Sequence, residues 1–266
     1  MKKHILITGS TDGIGKLAAQ KLALEGHHLY LHGRNAEKLG AVIEEIKVKS
    51  QNQSIKGFVG DFSKLDDVRK MADHIKEEVP ELDVLINNAG IYNSPSLLNK
   101  EGLDIRYVVN YLAPYVLTNA ILPILKKNNG SRIINLGSAA QAPVVFEVLK
   151  GERKLPERAT YAQSKLALTM WSFYLAQKEP ELSVIALNPG SLLNTNMVRE
   201  AFGHHWSPAD KGGNIIYDLA VSEKYAGISG KYFDNDNGGF GTAHADAYNE
   251  NAIEALIKIT ESLIQV

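Results

Sequence analysis

Six short apolar runs recur along the chain, at residues 5–8, 29–32, 56–60, 84–87, 133–137 and 184–188, and segments of helical period separate them. Runs of this length with β-branched or alternating character are strand candidates. Ile14, Leu17, Ala18 and Leu22 fall at i, i+3, i+4 and i+8 before Gly26, and 65–79 is a helix opened by a Ser63-x-x-Asp66 box and stopped by Pro80. Strand followed by helix from end to end predicts a parallel sheet with right-handed crossovers and helices on both faces. The expected fold class is therefore α/β, a single-domain, Rossmann-type doubly wound parallel sheet spanning 1–266, with its ligand site at the carboxyl ends of the strands. A chain of 266 residues, 44% hydrophobic and 22% charged, can bury such a core, and no repeat or linker divides it.

The first strand runs into Thr8-Gly9-Ser10-Thr11-Asp12-Gly13-Ile14-Gly15 and then directly into a helix. Gly9 permits the tight turn, Gly13 lets backbone approach a pyrophosphate, and Gly15 lets helix and strand pack closely, with phosphate charge meeting the helix N-terminus. Glycines alone also occur in plain strand–helix turns. The position after the first strand of an alternating chain is what points to a dinucleotide.

Downstream stand Asn87-Asn88-Ala89-Gly90, Asn110, Ser138, Tyr161-Ala162-Gln163-Ser164-Lys165 and Asn188-Pro189-Gly190. Together with the glycine turn and in this order, these residues resemble the short-chain dehydrogenase/reductase family over residues 5–190. The long gap before Tyr161 and the Ser229-Gly230-Lys231-Tyr232-Phe233 ending resemble its retinol-dehydrogenase-like branch. The resemblance implies that Gly9, Ser10, Gly13, Ile14 and Gly15 line the dinucleotide, with Asn88, Ala89 and Gly90 beside its adenine side. It further implies that Asp61, followed by Phe62, accepts from the adenine amino group, and that Tyr161, Lys165, Pro189 and Gly190 complete the cofactor contacts. For Asp61 the alternative is a charge favouring the dipole of the next helix. Asn87 and Asn88 read as more structural than chemical.

Selection between nicotinamide cofactors is a question of charge. An NAD site places an acid at the end of strand two to bind the ribose 2′-hydroxyl, but here that end reads Leu31-His32-Gly33-Arg34-Asn35, with no acid before Glu37. Arg34 can pair with a 2′-phosphate, so NADP(H) is expected over NAD(H). The alternative for Arg34 is a solvated surface residue, and Asp12 stands where NADP-preferring relatives often carry a base.

Tyr161 and Lys165 are four apart in a helical stretch and share a face. A phenol of pKa near 10 is a poor acid–base group at neutral pH. A lysine ammonium and the positive oxidised nicotinamide are expected to favour the phenolate. Ser138 ends the strand at 133–137, where its hydroxyl can bond a carbonyl oxygen as charge develops. A long helix is expected from about 103 to 126. Within it Pro114 cannot donate to the carbonyl of Asn110, which is left free to hold a water and connect Lys165 to solvent. At Pro123 only a kink is expected.

The reading is an NADP(H)-dependent enzyme interconverting a carbonyl (aldehyde or ketone) and an alcohol, with Tyr161 as general acid/base. An epimerase or dehydratase on the same scaffold usually has a longer C-terminal substrate domain than the 76 residues after Gly190. A redox-sensing regulator without turnover has no need of Ser138, Tyr161 and Lys165. Substrate loops are expected at about 139–159 and 191–211. Within them the irregular excursions 143–158 and 196–211 offer Val144, Val145, Phe146, Val148 and Leu149, and Met197, Phe202 and Trp206, which favour a bulky apolar carbonyl compound; the alternative is that they pack against each other or form a subunit contact. Residues 233–243, with Asp-Asn-Asp-Asn-Gly-Gly-Phe-Gly at 234–241, cannot be a helix. Thr195 follows Pro189-Gly190 by one residue more than the family's carboxamide-binding threonine, so either the loop is longer or Leu193 and Asn194 take that place.

The partner is expected to be a small apolar substrate, with a homo-oligomer of unspecified size left open and no nucleic acid, since 29 Lys and Arg meet 30 Asp and Glu for a net charge of −1. The chain has no cysteine, so neither disulfides nor thiolate chemistry enter. No metal is expected, His204 and His205 being adjacent rather than spaced as ligands. Neither a targeting segment nor a membrane span is read, the apolar stretch 111–125 being broken by Pro114, Thr118, Asn119 and Pro123, and a cytoplasmic location is the expectation.

Overall fold

The computed structural model describes residues 2–265. The six expected strands form within a residue at either end: β1 (His4–Ile7), β2 (His28–Gly33), β3 (Ile55–Val59), β4 (Val84–Asn87), β5 (Arg132–Leu136) and β6 (Ser183–Asn188). They lie in the order β3-β2-β1-β4-β5-β6, all parallel. Chain order therefore reverses between β1 and β4, and the loops after those two strands open on either side of one crevice.

Both faces of the sheet are covered, which is why its strands read as near-continuous apolar runs. Ile5, Ile7, Val84 and Ile86 point to the face packed by α1 (Gly13–Leu24), α2 (Ala36–Ser50) and Ile215, Ile216 and Leu219 of α9 (Ala209–Val221). Leu6, Leu85 and Ile133 point to the other, packed by α3 (Leu65–Glu78), α5 (Ala113–Leu125), α7 (Glu157–Lys178) and α10 (Glu250–Ile264). Trp171 and Phe173 of α7 are buried in this second core, as packing residues.

Several local expectations are corrected. The Ser63 box does not form: α3 begins after Lys64 without a side-chain cap, because the Ser63 hydroxyl donates to Asp61 Oδ1 at 2.8 Å instead. The helix expected from 103 to 126 is α4 (Ile105–Tyr107), a π turn (Val108–Leu112) and α5, with Ala113 N–H reaching back to Val108 O. Pro114, which has no N–H to give, sits where the wide turn closes. As one unit, Ile105–Leu125 is 21 residues long and apolar enough to cross a membrane, contrary to the reading of the broken 111–125 stretch, yet 78% of its 18-residue apolar window is buried in the fold.

The segment at 233–243 is the other omission, for it holds part of a hairpin. β7 (Lys231–Asp234) pairs parallel with β6, and β8 (Gly239–Gly241) returns antiparallel against it. Phe233 and Phe240 meet edge to face with centroids 5.1 Å apart. The turn between them sends Asp236 back toward the loop after β6: its carboxylate accepts from Asn188 Nδ2 (2.9 Å) and from the Ser191 N–H (2.8 Å) and hydroxyl (2.6 Å).

Candidate active site

A cleft of about 1410 Å³ runs along the carboxyl ends of β1 to β6. It is lined by Gly9, Gly13, Ile14, Gly15, Arg34, Asp61, Phe62, Asn88, Ala89, Gly90, Ser138, Tyr161, Lys165, Pro189 and Gly190. Ser10 and Asn110 are fully buried just behind that surface.

The glycine turn is held from below. Gly9 has φ +63°, and a Cβ there would lie 2.7 Å from Ala89 Cα; at Gly15 a Cβ would lie 2.6 Å from Gly9 O. No side chain fits at either position. Asn88 Nδ2 donates to the carbonyls of Thr8 and Gly9, both at 2.9 Å, so this asparagine fastens the turn to the loop after β4. Asp12 caps α1 by accepting from Gly13 N–H at 2.7 Å, and Lys16 N–H goes to Asp12 O. The first-turn N–H groups of Ile14 and Gly15 meet no acceptor among the described residues. Such free donors at a helix N-terminus suit a pyrophosphate.

Arg34 is exposed at the end of β2 and faces Asp61 across the cleft. Burial alone would raise the Asp61 carboxyl, but the Ser63 hydrogen bonds and the charges of Lys64 and Arg34 carry it below the usual range. Asp12, the acid in the glycine turn, does not stand alone: Lys38 lies 3.3 Å away and Asn196 Nδ2 donates to it at 2.5 Å. Three cations, Arg34, Lys38 and Lys64, thus border this end of the cleft.

At the other end, α7 brings Tyr161 and Lys165 against the end of β5. Lys165 is buried and donates to Leu136 O at 2.7 Å, and burial pulls its pKa down to about 8. Tyr161 is pushed up by burial, partly offset by a hydrogen bond with Ser138. The lysine was expected to lower the phenol; within the protein itself desolvation is the larger effect. The Asn110 side chain is fully occupied, accepting from Ile91 N–H at 2.8 Å and donating to Ile91 O and Ser164 Oγ, each at 3.0 Å. It clips the loop after β4 to the catalytic helix. Gly90 rests against Asn110 and Lys165, so the strip from Asn88 to Gly90 leads from the glycine turn toward the tyrosine.

The substrate loops need the largest revision. No residue of 139–159 lines the cleft; Val148 and Leu149 are buried, and Val144, Val145 and Phe146 pack against the same core around α6 (Phe146–Leu149). The second loop does contribute. Met197 and Val198 of α8 (Asn196–Phe202) and Leu193 line the wall, while Phe202 and Trp206, 43% and 75% exposed, lie outside it. Thr195 caps α8, faces Gly13 and lines the cleft, as Leu193 does, whereas Asn194 does not. The missing wall is the loop after β4, from Ile91 to Lys100. Tyr92 within it stacks at a tilt between Tyr161 (centroids 4.9 Å) and Phe202 (5.1 Å). Asn93-Ser94-Pro95-Ser96 was a readable loop signal following a strand end, but a tyrosine inside it carries no mark of its function. Among the described residues no cluster of His, Asp and Glu is placed to hold a metal.

Comparison with known proteins bears on this arrangement. The family model for short chain dehydrogenases matches residues 3–205. Human retinol dehydrogenase 13 is 34% identical over 253 residues, covering 87% of this chain and 76% of that protein, and human polyprenol dehydrogenase is 28% identical over 255 residues, covering 87% and 76%. Among solved structures, a protein of Escherichia coli CFT073 in complex with NADPH superposes with a TM-score of 0.73 at 27% identity, covering 88% of this chain and 96% of that one. A Salmonella enterica serovar Typhi short chain dehydrogenase superposes equally well, with the same identity and coverage. The doubly wound sheet, the glycine turn and the Ser138, Tyr161 and Lys165 cluster thus have a common origin: this chain belongs to the short-chain dehydrogenase family of oxidoreductases.

Proposed function

We propose that the protein is an NADP(H)-dependent oxidoreductase that interconverts an apolar aldehyde or ketone with its alcohol. The observation that carries the reading is that one cleft joins the glycine turn to Ser138, Tyr161 and Lys165. The cradle fits a dinucleotide: neither Gly9 nor Gly15 leaves room for a side chain, and Ile14 and Gly15 offer N–H groups to a pyrophosphate. Arg34, seconded by Lys38, would meet a 2′-phosphate. When bound, the nicotinamide supplies the two electrons as hydride.

The protein's own residues handle the oxygen and the proton. Ser138 donates to the substrate oxygen and stabilises the charge that gathers there in reduction. Tyr161 gives that oxygen its phenolic proton, which its raised pKa keeps in place at neutral pH. Lys165, charged below about pH 8, stabilises the phenolate left behind. The carbonyl of Asn110, which Pro114 cannot bond, offers a station for returning a proton to Lys165 from solvent. Ile91, Tyr92, Leu98 and Met197 give the rest of the wall its apolar character. The relatives named for retinol and polyprenol support an apolar alcohol as the partner. A panel of aldehydes, ketones and alcohols with NADPH and NADH tests this. Turnover of apolar carbonyls favouring NADPH is expected; turnover with NADH alone, or with none of the panel, contradicts it.

A further inference from the structure

The imidazole of His32, 3% exposed near the end of β2, is a buried titratable group that the chemistry above leaves unused. Its Nδ1 lies 3.1 Å from Gly9 N, whose N–H can only donate; its Nε2 lies 2.9 Å from Gly60 O, which can only accept. The two partners therefore select one neutral tautomer, with the proton on Nε2. The ring stacks on Phe62 with centroids 4.2 Å apart at 21°. The backbone of the same residue holds Ser10, its N–H donating to Ser10 Oγ (2.9 Å) and its carbonyl accepting from Ser10 N–H (3.0 Å). Burial holds the ring down to about 4, against the opposing pull of the Gly60 bond and of Asp61. A proton on Nδ1 would set two donors face to face at Gly9.

We propose that His32, as its neutral Nε2–H tautomer, is a positioning residue for the adenosine diphosphate half of the dinucleotide. One rigid ring spans the glycine turn at Gly9 and the end of β3 at Gly60, and its flat face supports Phe62. It thereby fixes the spacing between the phosphate cradle and the Asp61–Phe62 shelf; among the described residues no other side-chain hydrogen bond joins these two loops. It also consumes the Gly9 N–H, which directs phosphate to Ile14 and Gly15. The inference rests on the dinucleotide reading above.

The test compares wild type, His32→Leu and His32→Gln by calorimetry with NADPH and with adenosine 2′,5′-bisphosphate, alongside steady-state kinetics. Loss of the ring's hydrogen bonds in His32→Leu is expected to weaken both ligands by about tenfold or more. At saturating NADPH, kcat and the carbonyl KM should stay within about twofold, a split that general destabilisation does not produce. His32→Gln, whose amide can accept from Gly9 and donate toward Gly60, should recover most of the affinity. Equal affinities in wild type and His32→Leu, or a Gln variant no better than Leu, overturn the proposal. If the Leu variant does not fold, nitrogen NMR of the wild type at neutral pH decides: Nε2 protonated with Nδ1 bare is expected, and an Nδ1–H or doubly protonated ring overturns it. A wild type that binds neither ligand defeats the dinucleotide reading itself.

Discussion

Lys165 Nζ stands 5.8 Å from the centroid of the Tyr161 ring while it donates to Leu136 O. The ammonium is anchored to the end of β5, one turn of helix from the phenol, so its charge reaches Tyr161 through space rather than through a direct bond. Charge on Lys165 should then govern the proton step. With its pKa at about 8, kcat/KM for carbonyl reduction is expected to fall as pH rises through that value. A flat profile from pH 7 to 10 would contradict this.

The same shift predicts a pH dependence of stability. The folded pKa lies below the ordinary 10.5, so between about 8 and 10.5 the folded chain binds fewer protons than the unfolded one. The cost of burying the ammonium is thus fully present below pH 8 and is relieved as pH rises. Urea denaturation of wild type and Lys165→Met at pH 7 and pH 10 should show the variant's relative stability falling with pH; a constant difference means the lysine is not desolvated.

Arg34→Ala should narrow the gap between NADPH and NADH affinity. A charge-assisted hydrogen bond at an exposed site is worth about 1.5 kcal/mol, or roughly tenfold. Lys38→Ala should narrow it by less, because that ammonium also answers Asp12. An unchanged ratio in both variants would place the 2′-position elsewhere.

Substrate selection should follow Tyr92 and Met197 and not the 143–158 excursion. Tyr92→Ala and Met197→Ala are expected to lower kcat/KM for bulky apolar carbonyls by about 1–3 kcal/mol of transition-state binding, with little effect on small aldehydes. Phe146→Ala should instead lower stability by about 1–3 kcal/mol and leave the ratio of large to small substrates unchanged. A shifted ratio in the Phe146 variant would restore that excursion as a pocket wall.

What the sequence disclosed follows from how each feature is encoded. Strands covered on both faces announce themselves as apolar runs, and Gly9, Gly15 and the Tyr161–Lys165 spacing are dictated by local geometry. The β7–β8 hairpin escaped because its strands are short and its turn is rich in Asp, Asn and Gly; only the pairing of Lys231–Asp234 with β6 makes it visible. The excursion at 143–158 misled because apolar residues beside an active site can face either the cleft or the core, and Val148 and Leu149 face the core. His32 was silent because its role depends on Gly9 and Gly60, 23 and 28 positions away.

The central claim is that Tyr161 supplies the proton in an NADPH-driven carbonyl reduction. Its most direct test is the loss of reduced-nicotinamide absorbance with an apolar aldehyde, followed for wild type and Tyr161→Phe at saturating NADPH. The account predicts turnover in the wild type and a loss of about 10²–10⁴-fold in the variant, with NADPH affinity unchanged because ring volume and packing persist. Turnover in Tyr161→Phe near the wild-type rate would contradict it.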